Sequence, residues 1–368
     1  MFANNEKISK RQVTRLMVMD WLGKFSLLFP VVMTTGAGGG TGAENAVALL
    51  LAVGTAFVYT KILGSVARLV RTDLQTYLRE RLGTVMAQVT AWSFLICLLL
   101  NQAYLARAVG RVSTMFLLPE GSEYVCGAFF LIAGWITAAG SLQKRARVAE
   151  CLYPLVLILL CLMLGASAWS VQWKYVQQLI PKQMDWTEVL KKAIWIFNCL
   201  SGMSVSLYQV PHLKDPGCYS KALKRSVLIV GGFQILLFVI MIGAFGEQDF
   251  RQMHWPALVL MSNVNMPGGF LQRWDIVFLS VLLLSLFAAA GTGIYYMGMI
   301  LSELFPGKTK KTWQKWSVIV SAVVAFLAGS YERMERIFLK GAVEGVLMIL
   351  IAILLILAVI EREAACKK

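Results

Sequence analysis

The chain alternates between apolar runs and short polar breaks. Ten runs are long enough to propose as membrane-spanning helices, near 13–35, 44–67, 84–106, 124–141, 148–170, 188–211, 223–246, 270–303, 313–330 and 339–361. A helix rises about 1.5 Å per residue and the hydrocarbon core is about 30 Å thick, so about 20 apolar residues reach across. The run at 270–303 exceeds that length, which predicts tilt or an extension into the cytoplasm.

The first run is unlike an anchor. Residues 16–35, LMVMDWLGKFSLLFPVVMTT, carry Asp20, Gly23 and Lys24 within their first half. A charge at bilayer depth costs about 2.5–3.5 kcal/mol on insertion scales. We therefore expect a membrane helix interrupted at Gly23.

Composition agrees with the pattern. Of 368 residues, 58% are hydrophobic and 15% charged, against about 25% charged in ordinary soluble chains. The net charge of +15 is spread in short clusters between apolar runs, which is how topology signals are written rather than nucleic-acid surfaces. The polar start, MFANNEKISKRQ, and the long run behind it do not read as a cleavable signal peptide. Twenty-two of the 35 Lys and Arg fall in segments that ten spans place inside, and eleven fall outside. This predicts both termini in the cytoplasm. Cys97, Cys126, Cys151, Cys161, Cys199, Cys218 and Cys366 lack paired metal spacing and read as small buried hydrophobes. No metal site or cofactor is expected.

Between the runs, 171–187 and 246–269 form long outer connections. Trp173, Tyr175, Trp186 and Trp255 are expected at headgroup depth there. The glycine-rich 36–42 lacks the order of a phosphate loop and reads as a turn. One transmembrane domain, 1–368, is expected: five helices in 1–170, five in 188–361, and 171–187 joining them.

Runs one and six occupy corresponding places in those halves. Run six centres on Asn198-Cys199-Leu200-Ser201-Gly202-Met203-Ser204, the most polar, glycine-bearing middle of the later runs. Paired interruptions in corresponding helices point to a transporter-type site. Unwinding frees backbone groups: helix N-termini can hold a carboxylate, and carbonyls an ammonium group or a cation. A zwitterionic amino acid fits that chemistry. Helix packing explains any one such glycine or serine equally well.

The residues also carry a resemblance. ISKRQ…MDWLGKFSLLFP from Ile8, Val210-Pro211-His212-Leu213-Lys214-Asp215-Pro216, and WPALVLMSNVNMPGGFLQRWDIVFLSVLLLSLF at 255–287 resemble the B subunits of spore germinant receptors. The resemblance implies the amino acid–polyamine–organocation superfamily, with a leucine-transporter-like 5+5 inverted repeat and broken helices 1 and 6. It implies partnership with an A-type membrane subunit and a C-type lipoprotein. It also implies a small-molecule ligand such as an amino acid. By position, the ligand would lie among Trp21, Leu22, Gly23, Lys24 and Phe25, the middle of span three, Asn198, Ser201, Gly202 and Ser204, and the middle of span eight.

Lys24 departs from the family, whose members carry small or apolar residues after this glycine. Three roles stay open: tethering a carboxylate ligand, replacing a coupling cation, or pairing with Asp20 one turn earlier. Asn101, Tyr104, Ser285, Thr292 and Tyr295, with Gly291 and Gly293, are weaker candidates. Asp275 is expected to cap or pair with Arg273, Glu150 to favour the start of helix five, and Glu344 to snorkel or face the bundle. His212 and His254 lie outside the spans and no nucleophile–base spacing appears, so an enzyme is not expected. A germinant-receptor subunit and a proton-coupled amino acid permease remain; a passive scaffold does not account for paired interruptions.

Overall fold

A computed structural model describes residues 7–34, 41–70, 73–180, 184–263, 274–341 and 345–353. The expected turn at 36–40, the 264–273 part of the resemblance block with Arg273, and Arg71, Lys182, Glu344 and 354–368 with Cys366 lie outside the described residues.

The described residues are helical, with two isolated bridges in place of any strand. The helices are α1 (Lys10–Thr34), α2 (Gly42–Leu69), α3 (Leu74–Phe116), α4 (Glu123–Ala138), α5 (Leu142–Ala168), α6 (Trp173–Val176), α7 (Trp186–Asn198), α8 (Tyr219–Gln252), α9 (Pro256–Ser262), α10 (Trp274–Leu304), α11 (Lys310–Leu327) and α12 (Tyr331–Lys340). Each of the ten apolar runs coincides with helix over most of its described residues, the sixth being broken at 199–204. Six described helices are long and apolar enough to cross a membrane, and α11 with 331–339, bent by 110°, makes a seventh. The remaining runs are the 16-residue α4, the broken sixth run, and the helical residues 345–353.

α1 stands at the centre. Every residue from Leu16 to Met33 is buried, packed mainly by α8, α10 and α5. The outer helices instead turn apolar faces outward, such as Leu50 and Val58 on α2 and Leu155, Ile158 and Leu162 on α5. That is the division expected of a bundle in lipid: Asp20 and Lys24 are spared the hydrocarbon because other helices surround them.

Local chemistry sets the helix ends. Thr41 and Glu44 form a reciprocal capping box at α2, with bonds of 3.1 and 2.7 Å, which satisfies two otherwise orphaned amides. The other Glu44 oxygen accepts the Asp185 N–H at 3.0 Å, and Asp185 in turn caps α7 through the Thr187 N–H at 2.9 Å. At the opposite end, Ile8 pairs with the 210–216 motif: Ile8 N–H donates to the His212 carbonyl (2.7 Å), and Lys214 N–H to the Ile8 carbonyl (3.1 Å). Asp215 accepts from the Cys218 thiol and the Gly217 N–H, which hold its carboxyl below the ordinary range.

Several expectations need correction. The interruption at Gly23 is absent as an unwinding: α1 runs unbroken through it. Trp173 and Trp186 are exposed, but Trp255 is buried, its ring 5.8 Å from that of Tyr331 at the start of α12. Glu150 lies two turns inside α5 because that helix starts at Leu142, and it pairs with Arg11 and Arg15 of α1, each at 3.0 Å. The six described cysteines are free, but Cys151 and Cys161 are exposed on the outer face of α5 and only Cys199 is fully buried.

Candidate functional site

Run six breaks where its sequence predicts. α7 ends at Asn198, residues 199–204 form turns, and a 3-10 helix resumes over Val205–His212. Gly202 has φ +98°, a conformation that costs other residues about 1–2 kcal/mol.

The break closes around the charges of α1. The Lys24 ammonium donates to Asp20 Oδ2 at 3.0 Å and to the Ser201 carbonyl at 2.5 Å. A Cβ on Gly202 would stand 3.3 Å from Asp20 Oδ2 and 3.5 Å from Lys24 Nζ. A continuous α1 is what makes this possible, since one helical turn sets Asp20 and Lys24 on the same face. Lys24 thus fills the position that freed carbonyls would otherwise offer to a cation. Ser201 Oγ donates to Asn101 Oδ1 of α3 at 2.9 Å. Asp20, Lys24, Asn101 and Ser201 are each at most 4% exposed, so the site is closed.

α1 is altered at Gly23 in a subtler way than unwinding. In a regular helix the Gly23 N–H would bond the Met19 carbonyl. Here the Ser285 hydroxyl of α10 engages both groups, donating to the Met19 carbonyl at 2.5 Å and accepting the Gly23 N–H at 2.9 Å. A Cβ on Gly23 would lie 2.8 Å from Ser285 Oγ, so only glycine admits this approach.

The other expected residues divide. Trp21, Leu22 and Phe25 are fully buried, Phe25 edge-on to Phe29 at 5.4 Å, and the Trp21 indole N–H has no partner. Asn198 and Ser204 flank the break but face away from Lys24. Asn198 donates to the carbonyls of Phe338 and Leu339 on α12 (3.5 and 3.4 Å), and Ser204 shares a 2.7 Å bond with the Tyr59 hydroxyl. Tyr104 stacks on Phe338 and Tyr331, so α12 covers this end of the site. His254 is exposed, while the His212 backbone carbonyl serves the Ile8 pairing.

Two polar residues here were not singled out in the sequence. Arg145, 7% exposed, reaches from the first turn of α5 to α10, where it meets the Ala288 carbonyl (3.2 Å) and Thr292 Oγ1 (2.5 Å). Its sequence context is a basic cluster, which reads as a surface loop. The signal lay in register: Leu142, Arg145, Ala146 and Ala149 are the buried stripe of α5. Gln102, fully buried on α3, packs where a Gly293 Cβ would meet its Nε2 at 1.8 Å. Beyond Tyr295, a cleft of about 690 Å³ opens, lined by Asp73, His212, Glu303, Lys310 and Lys311 among others.

Residues 7–337 match the family model described as "Spore germination protein". Spore germination protein B2 of Bacillus subtilis (strain 168) is 24% identical over 243 residues, 65% of this chain and 64% of that protein. Mhp1, a nucleobase-cation-symport-1 family transporter, solved in a closed conformation with bromovinylhydantoin bound, superposes with a TM-score of 0.64 at 16% identity. It covers 94% of this chain and 77% of its own. The crystal structure of MhsT in complex with L-phenylalanine gives 0.65 at 17% identity, over 93% and 87%. The fold is that of the leucine-transporter-like membrane proteins, as the interrupted sixth run and the enclosed first helix suggest. With the match extending over nearly its whole length, the chain belongs to the spore germination protein family.

Proposed function

We propose that the chain is the ligand-binding membrane subunit of a germinant receptor. Its ligand would be a small germinant of the amino acid class, held between the helix-six break, the Asp20–Lys24 pair and the middles of α3 and α10. The observation that carries this reading is the Lys24–Ser201 contact at 2.5 Å. A buried charge on one helix holds the freed carbonyl of another, so a ligand that competes for either group alters both helices. That is what a sensor requires: differential contacts in two arrangements. Halves at 1–170 and 188–361, cytoplasmic termini, and A-type and lipoprotein partner subunits complete the proposal.

In a spore-forming host, deletion of the gene should abolish germination with a subset of amino acids, and a Gly202→Ala allele should do the same with normal amounts of protein in the spore membrane. Unchanged germination with every amino acid tried contradicts the receptor reading. A second reading is a proton-coupled amino acid permease of the same fold, favoured by a buried lysine at the break. It predicts uptake of labelled amino acid into proteoliposomes, driven by a pH gradient and lost in Lys24→Ala.

A further inference from the structure

On the outside of the bundle, α4 and α11 leave a groove of about 390 Å³ between them. Its walls include Leu131 and Ile132 of α4 with Ile319, Ala322, Val323 and Phe326 of α11, and every lining residue is apolar. The α11 wall runs from Val318 to Leu327, about 13.5 Å at about 1.5 Å per residue. The mean cross-section is therefore about 29 Å². A helix with its side chains is about 10 Å or more across, which is about 80 Å². The groove is too narrow for a helix and suits a single hydrocarbon chain.

A second observation lies at one end of the groove. The 3.6-residue period of α11 sets Lys311 and Lys315 on the stripe that continues through Ile319, Ala322 and Phe326. Both lysines are exposed, and neither enters an ion pair among the described residues. No Asp or Glu occurs from 304 to 331. Lys311 also borders the 690 Å³ cleft. Trp316, 48% exposed, stands beside Lys315, and the Lys308 ammonium lies over its ring at 6.0 Å. Indole rings and lysines at the end of an apolar helix mark the headgroup layer, and the long lysine stems let the ammonium groups reach it. Cations at one end and an apolar channel along the rest repeat the layout of a phospholipid that carries net negative charge.

We propose that α4 and α11 form a binding site for an anionic phospholipid, with one acyl chain in the groove and the phosphate between Lys311 and Lys315 beside Trp316. A zwitterionic lipid brings its own ammonium group and gains less from two lysines. Each lysine favours the anionic lipid roughly fivefold, from about 1 kcal/mol at about 1.4 kcal/mol per tenfold. The site is separate from the central one, but the helix that carries it leads directly into α12, which covers that site.

The test uses the purified full-length chain in phosphatidylcholine nanodiscs carrying a minority of phosphatidylglycerol with the same acyl chains. Native mass spectrometry reads the lipid retained after release into detergent, and thermal unfolding reads the stability it confers. The chain should retain phosphatidylglycerol in excess of its share of the bilayer and unfold at a higher temperature with it. Lys311→Gln with Lys315→Gln should weaken phosphatidylglycerol binding, relative to phosphatidylcholine, roughly 25-fold, two factors of about five. Lys221→Gln with Arg225→Gln, exposed cations in the first turns of α8, should leave that preference unchanged. Ala322→Trp fills the groove from its half-buried wall and should cut phosphatidylglycerol retention while the unfolding temperature in pure phosphatidylcholine holds. Equal retention of the two lipids, an equal loss in the α8 variant, or stabilisation reproduced by glycerol phosphate without acyl chains overturns the inference. So does a dimer or a co-purifying membrane subunit that Ala322→Trp removes while the lipid preference stays, since the groove then belongs to a protein helix.

Discussion

Replacing Lys24 by methionine tests the Asp20–Lys24 pair with little change in volume. Both side chains are at most 4% exposed, 3.0 Å apart, and the ammonium also holds the Ser201 carbonyl at 2.5 Å. Lys24→Met removes the cation and strands two acceptors, a carboxylate and a carbonyl. Removing one partner of a buried ion pair costs about 3–5 kcal/mol, equivalent to roughly a 140- to 3,700-fold change in an equilibrium constant at about 1.4 kcal/mol per tenfold. The pair itself is worth less than its loss suggests, because taking both charges out of water is also costly. Asp20→Asn with Lys24→Met should therefore recover most of the stability lost by Lys24→Met alone. The assay is thermal unfolding of the chain in nanodiscs, followed by tryptophan fluorescence, on parent, both single variants and the double. A single Lys24→Met variant as stable as the parent refutes the reasoning. So does a double variant no better than the single one, since independent residues add and coupled ones do not.

Further outcomes follow from the same geometry. Gly202→Ala should lose about 1–2 kcal/mol from its φ of +98° and should disturb the Ser201 contact, read as lower thermal stability and weaker ligand stabilisation. Gly23→Ala sets a Cβ 2.8 Å from Ser285 Oγ and should cost about 1–3 kcal/mol as overpacking. Adding Ser285→Ala should relieve much of that cost, and a purely additive double variant contradicts the close approach of the hydroxyl. Thr41→Ala should lose about 1 kcal/mol from the α2 cap and speed proteolysis of the 171–185 connection, which Glu44 ties down through Asp185.

The architecture was legible because lipid imposes a simple rule. Apolar runs of spanning length and their basic flanks fix helices, and most described helix ends fall within six residues of the expected limits, while α3 runs ten residues beyond its run at each end. The break at Gly202 was legible for a local reason, since a glycine among small polar residues offers a helix neither propensity nor side-chain packing. Gly23 looked the same in one dimension and differs in three. Its neighbours Asp20 and Lys24 pair across one turn and favour helix, and Ser285, 262 residues away, uses the missing side chain instead. Arg145 was hidden for the opposite reason: a cluster of lysines and arginines carries topology information, and its buried register depends on α5 starting at Leu142. Gln102 and Trp255 depend on what packs against them, which no stretch of local sequence encodes.

The central claim concerns where the ligand sits, and a cryo-electron microscopy map of the purified chain answers it most directly. The sample would be saturated with whichever amino acid raises its unfolding temperature most. The account predicts new density bounded by Asp20–Lys24, residues 201–202 and the middles of α3 and α10. Density confined to the 690 Å³ cleft beside Lys310 and Glu303, with the Lys24–Ser201 contact unchanged, would contradict it.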